Sequence, residues 1–167
     1  MNTTRNYRNI LLWAFGLTLA ADALSKALIF HFLGNSVVGL FGDVKLRILY
    51  NSSAPIGLGN SMLGVLVLGI AGIAVVLMLR WAWQTNSSGS LYVGLMTGGA
   101  FGNLLDRFIG GSVLDWIDGG FHGVFNLADV AILAGIVLFL ITQLFDSSSS
   151  ECDVRSPTEL PLVDDPI

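Results

Sequence analysis

Four apolar segments, each long enough to cross a lipid bilayer, leave this chain few ways to fold. A hydrocarbon core about 30 Å thick is crossed by roughly 20 helical residues, within a range of about 17–25. The segments run from about Asn9 to Leu33, Met62 to Trp83, Leu91 to Ile109 and Leu127 to Phe145. The second is uncharged until Arg80, and the third meets its first charge at Asp106. The fourth carries only Asp129, whereas the first holds Asp22, Lys26 and His31. In hydrocarbon, backbone amides must be satisfied within their own segment, so helices are predicted for all four.

Composition supports a lipid solvent and excludes several function classes. Only 12% of the 167 residues are charged, and the mean hydropathy is +0.72; a soluble domain carries about 25% charged residues. The net charge of −4 comes from the end of the chain. Residues 1–145 hold seven Lys/Arg against six Asp/Glu, while 146–167 hold six acids and only Arg155. The body therefore lacks the basic surface that nucleic-acid binding requires. Cys152 is the lone cysteine, so no internal disulfide forms, and His31 and His122 lack spaced partners for a metal. No cofactor is expected. Residues 1–145 read as one integral membrane domain, and 146–167, with four consecutive serines and a Pro/Asp-rich close, as a disordered acidic tail.

A cleavable signal peptide is the rival reading of the first segment, because Ala21-Asp22-Ala23 follows Arg5, Arg8 and an apolar run. The apolar pattern resumes through Ala27–Leu33, as a full span interrupted by functional polar groups would. Arg5, Arg8 and Arg80 place the N-terminus in the cytoplasm, with the C-terminus on the same side. Loops at about 34–60 and 110–126 then face outward. In the first of them Val44, Leu46, Ile48 and Tyr50 alternate with Lys45 and Arg47, a period-two strand pattern with one cationic face. Such a strand would suit a membrane surface, with its cations near lipid phosphates.

Ionised groups at bilayer depth are costly and mark function. With this topology Asp22, Lys26, Asn51, Asp106, Arg107, Asp115 and Asp129 all gather at the outer side. Blander roles compete for several. Asp22 and Lys26, at i and i+4, make an intrahelical ion pair; Asn126 with Asp129 makes a helix N-cap with an acid in the first turn; Gly94, Gly98 and Gly102 make a close packing stripe. Asn103 and Arg107 share a helix face and together would order a nearby carboxylate. Two aspartates with no metal, histidine or serine partner fit one chemistry best. Close carboxylates share a proton, so one activates water as the other donates to an amide carbonyl. Asp115 and Asp129 are the best pair, and Asp106, beside Asn103 and Arg107, suits a supporting network.

These residues resemble the lipoprotein signal peptidase (signal peptidase II) family. The matching pieces are Asp22-Ala-Leu-Ser-Lys26, Gly98-Gly-Ala-Phe-Gly-Asn103-Leu-Leu-Asp106-Arg107, Val113-Leu-Asp115-Trp and Phe125-Asn126-Leu-Ala-Asp129. The resemblance implies an all-α membrane protein of four transmembrane helices, with a small extracytoplasmic β-cradle in the first outer loop. It implies a bacterial inner-membrane aspartic endopeptidase that cleaves diacylglyceryl-modified prolipoproteins before the lipidated cysteine. Asp115 and Asp129 would be its catalytic dyad. Asn51, Gly99, Asn103, Asp106, Arg107, Asn126, Asp22 and Lys26 would support that dyad or bind substrate. Lipidated precursors and membrane phospholipids are the partners expected of a monomer. One block departs: the family's Asn-x-Gly-Ala-Ala-Phe-Gly here reads Asn51-Ser-Ser53-Ala54-Pro55-Ile56-Gly57. That change keeps open a non-catalytic, substrate-binding relative, and intramembrane acids keep open a small proton-coupled transporter.

Overall fold

The computed structural model of the chain describes residues 3–52, 62–85 and 89–153. Helix α1 spans Thr3–Leu33, α2 Met62–Thr85, α3 Ser90–Gly110 and α4 Leu127–Asp153. Strands β1 (Val38–Phe41) and β2 (Val44–Asn51) follow α1, and β3 (Val113–Asp118) and β4 (Val124–Phe125) lie between α3 and α4. Helix α4 continues eight residues past its expected end, so 146–153 is helical instead of irregular. Extending an existing helix costs far less than nucleating one, which lets polar residues follow the apolar span. The remainder of the predicted tail, and the Ser53–Ile56 part of the divergent block, lie outside the described residues.

The β-structure corrects the expectation of a cradle confined to the first loop. The four strands form one antiparallel sheet in the order β1-β2-β3-β4, half of it supplied by residues 113–125. A lone β1–β2 hairpin is marginal in water and leaves an open edge, which β3 closes. The predicted strict alternation along β2 is also broken. Leu46 pairs with Ile117 and Leu49 with Asp115, with a bulge between them. Directly paired residues share a sheet face, so the extra residue moves Leu49 and Asn51 onto the face that carries Asp115.

Small residues set the spacing of the helices. A Cβ at Gly94 would lie 2.6 Å from the Ala14 Cβ and 2.9 Å from the Leu11 carbonyl oxygen of α1. At Gly98 it would lie 2.7 Å from the Phe15 carbonyl oxygen. On the other side of α3, Gly99 faces the Ala128 carbonyl oxygen of α4 at 2.5 Å by the same measure. Helix α3 is thus the centre of the bundle, with backbone on backbone against both α1 and α4. Helix α2 packs near its C-terminal end, where Ala82 joins Leu11 and Val93. Overpacking of this kind costs about 1–3 kcal/mol. Gly94→Ala is therefore expected to lower the melting temperature of the purified protein by several degrees, at about 2–4 °C per kcal/mol; an unchanged melt would contradict this packing.

The outward faces are apolar. Leu17, Ile70, Leu133 and Leu144 are all exposed, whereas a water-soluble surface avoids large contiguous apolar patches. Tyr7–Leu33 and Leu127–Leu144 are each long and apolar enough to cross a membrane.

Candidate active site

The ends of α1, α3 and α4 meet beneath the sheet, and each contributes part of one polar cluster. From α1, Asp22 and Lys26 are buried, Asp22 to 2% exposure. Lys26 Nζ donates to Asp22 Oδ2 at 2.5 Å, to Asp106 Oδ2 at 2.7 Å and to Asn103 Oδ1 at 3.4 Å. The ion pair expected within α1 is present, and it extends to α3. Burying an ammonium requires such partners, because an unpaired buried charge is strongly unfavourable.

Helix α3 ends where the cluster begins. Gly111 takes a left-handed conformation (φ 70°) and its N–H bonds to the Arg107 carbonyl, closing the last turn. One turn earlier, Asn103 Nδ2 donates to Asp129 Oδ1 at 2.8 Å. Arg107 does not join Asn103 on that carboxylate as expected; its Nη1 donates to the Asn103 backbone carbonyl at 3.2 Å. Its cation therefore braces the end of α3.

Asn126 joins the two predicted aspartates. It is fully buried, at 0% exposure, and its Nδ2 donates to Asp115 Oδ1 at 2.7 Å and to Asn103 Oδ1 at 3.1 Å. Its Oδ1 accepts the Asp129 backbone N–H at 3.0 Å, while its own backbone N–H donates to Asp129 Oδ2 at 3.1 Å. That reciprocal pair is a capping box, so the N-cap reading and the functional reading describe the same atoms. The remaining oxygen, Asp115 Oδ2, accepts from Asn51 Nδ2 at 3.1 Å. Among the described residues each of the four carboxylate oxygens thus receives an N–H, and these four donors are neutral amides.

The electrostatics differ between the two acids. Asp115 is 3% exposed on β3, and burial raises its pKa above the ordinary carboxylate range. Asn51's hydrogen bond works against that, the negative charge of Asp129 adds to it, and Asn126 and Lys26 lower it. Asp129 is only half-buried and sits in the first turn of α4, at the positive end of the helix dipole.

Asp22, Lys26, Asn51, Asn103, Asp106, Asp115, Asn126 and Asp129 bring polar side chains to this cluster, and Arg107 reaches it only at the Asn103 carbonyl. Gly99 is a spacer: with no side chain it lets Ala128 approach, which puts Asn103 within reach of Asp129. Ala128 itself was not singled out. Its backbone N–H donates to Asp22 Oδ1 at 3.0 Å, a contact that residue types alone do not signal. His31 packs edge-on against Phe32, away from this cluster.

Comparison with known proteins identifies the family of the chain. Residues 14–145 match the family model described as signal peptidase (SPase) II. A lipoprotein signal peptidase of Syntrophomonas wolfei is 37% identical over 142 residues, covering 83% of this chain and 95% of the relative. One from Coxiella burnetii is 32% identical, covering 83% of this chain and 91% of the relative. A bacterial membrane enzyme solved by the in meso method at 2.3 Å resolution superposes with a TM-score of 0.72. It covers 90% of this chain and 93% of its own, at 21% identity, which speaks to the fold. By the matched family model and by the identity of these relatives over most of their length, the chain belongs to the signal peptidase II family.

Proposed function

We propose that this protein is an aspartic endopeptidase that removes the signal peptide from diacylglyceryl-modified prolipoproteins, cutting before the lipidated cysteine. Asp115 and Asp129 are its catalytic pair. The observation that carries the reading is the single Asn126 that donates to one oxygen of each, from its side chain and its backbone. Family membership supports the reaction class and the substrate.

Neutral donors on every carboxylate oxygen orient the pair without neutralising it, so one proton remains to be shared. Asp115, whose pKa burial raises, holds that proton. Asp129, at the positive end of α4, is the ionised partner. It takes a proton from water as the water oxygen attacks the scissile carbonyl, and Asp115 gives its proton to the carbonyl oxygen. In the second half Asp129 passes its proton to the departing amine while Asp115 recovers one from the diol. Both groups return to their starting states.

The lipid-facing sides of the helices, with Arg5, Arg8 and Arg80 at one end, support four spans of a bacterial inner membrane. Both termini are then cytoplasmic, the site is at the outer face, and phospholipid surrounds a monomer. A transporter would place its acids near mid-bilayer; here they gather at one end of the bundle.

A processing assay on a lipidated precursor, with Asp115→Asn as control, tests the activity. Precursor that binds and is never cut would favour the non-catalytic reading. The pH profile tests the proton assignment. Asn51 stabilises the ionised form of Asp115, so Asn51→Ala is expected to raise the pKa of the acid further. The basic limb of kcat then moves to higher pH; a limb that stays in place or moves down would reverse the two roles.

A further inference from the structure

Helices α1 and α4 are each packed on α3, and they meet where Asp22 lies. Its two oxygens do different work: Oδ2 takes Lys26 from its own helix, and Oδ1 takes the Ala128 N–H in the first turn of α4. That amide is one of the donors a helix start leaves without an intrahelical partner. Asn126 caps the next one, at Asp129. The first turn of α4 is therefore capped twice, once from its own N-cap and once from another helix.

We propose that Asp22 is a positioning residue, a cap supplied by α1 that fixes the angle at which α4 presents Asp129 to Asp115. The inference rests on that pair being catalytic. Two routes run from Asp22 to Asp129. One is the backbone, since Ala128 immediately precedes Asp129. The other passes through Lys26, which donates to Asn103 Oδ1 and so turns the Asn103 amide nitrogen toward Asp129 Oδ1. Asp106 shares only the second route, because it binds Lys26 and is 31% exposed at its side chain. Comparing the two acids separates the backbone cap from the charge.

Asp22→Asn and Asp106→Asn each remove one negative charge from the same lysine. Among the described residues, Lys26 bonds Asp22 and Asp106 and reaches Asp129 through Asn103, Arg107 bonds the Asn103 carbonyl, and Asp115 of β3 interacts electrostatically with Asp129. On this side β2 brings the neutral Asn51, Arg47 being paired with Asp118. Each variant leaves Lys26 with one anionic partner instead of two. Only Asp22→Asn also disturbs the cap, because an amide cannot present oxygen to both Ala128 and Lys26. Misplacing a reacting group by about 1 Å can cost about 10²-fold, so kcat is expected to fall on that order in Asp22→Asn and at least tenfold less in Asp106→Asn. KM for the lipidated precursor stays within about threefold, because the groups that touch substrate are unchanged. Amide hydrogen exchange should speed up at 127–130 and not across α1 or α3.

Asp22→Glu covers the case in which Asp22→Asn does not fold. It keeps an anion beside Lys26 and moves the acceptor by one methylene, so kcat falls although the charge is unchanged. Undiminished kcat in Asp22→Glu, equal losses in the Asp22→Asn and Asp106→Asn pair, or unchanged exchange at 127–130 would each overturn the proposal. An active Asp115→Asn run alongside would instead remove the catalytic pair itself.

Discussion

Asp115→Asn and Asp129→Asn are each expected to leave a folded membrane protein whose kcat on a lipidated precursor is lower by about 10³-fold or more, since each removes a general acid or base worth 10²–10⁴ and breaks a pair that works as a unit. The double variant should be no worse than either single one, for the same reason. Folding is retained because two effects oppose each other at position 115. An amide there presents its NH₂ to one of two donors, Asn51 or Asn126, and loses that bond at about 1–3 kcal/mol. It also relieves the burial of a carboxylate whose pKa burial already raises. Precursor cleavage by quantitative gel assay, beside a thermal melt of the same preparations, measures both. More than a tenth of the wild-type rate in either variant would end the assignment of that residue.

Asn126→Ala is the second large effect, and it falls on stability as well as rate. The side chain serves three partners at 0% exposure. Removing an N-cap costs about 1 kcal/mol, and leaving a buried carboxylate oxygen without its donor costs about 1–3 kcal/mol more. A loss of about 2–4 kcal/mol in total is expected. The rate falls too, because Asp115 and Asp129 then lose their common link. Asn126→Ser separates the two effects. A serine hydroxyl still caps the Asp129 N–H, so most of the stability returns, yet it does not reach Asp115 and the rate stays low. Recovery of the rate in Asn126→Ser would mean that Asn126 acts only as a cap.

The features readable from the chain share one cause. Residue types and their helical spacing report on solvent and on neighbours within a few turns. Apolar length alone marks α1 and α4 as long enough to cross a membrane, and the Asp22–Lys26 pair and the Asn126–Asp129 capping box are local in sequence. The glycines at 94, 98 and 102 likewise read as a packing stripe from their spacing, and each faces α1. Gly99 falls on the adjoining face and meets α4, a distinction that spacing cannot make without knowing which helix lies where.

What the sequence by itself determined was the apolar surroundings and the four helices, and it proposed the two aspartates, because these follow from composition, local periodicity and motif. The tertiary structure alone decided how those aspartates are held. Strand β3 had to pair with β2 before Asp115 had a sheet beneath it, and the bulge between Leu46 and Leu49 had to shift the register before Asn51 faced that acid. Arg107 turned to its own helix, Asp22 reached across to Ala128, and Lys26 tied α1 to α3. The physical reason is common to all of them: a buried donor or charge takes whichever acceptor the packed helices bring within about 3 Å, and those partners lie tens of residues away in the chain.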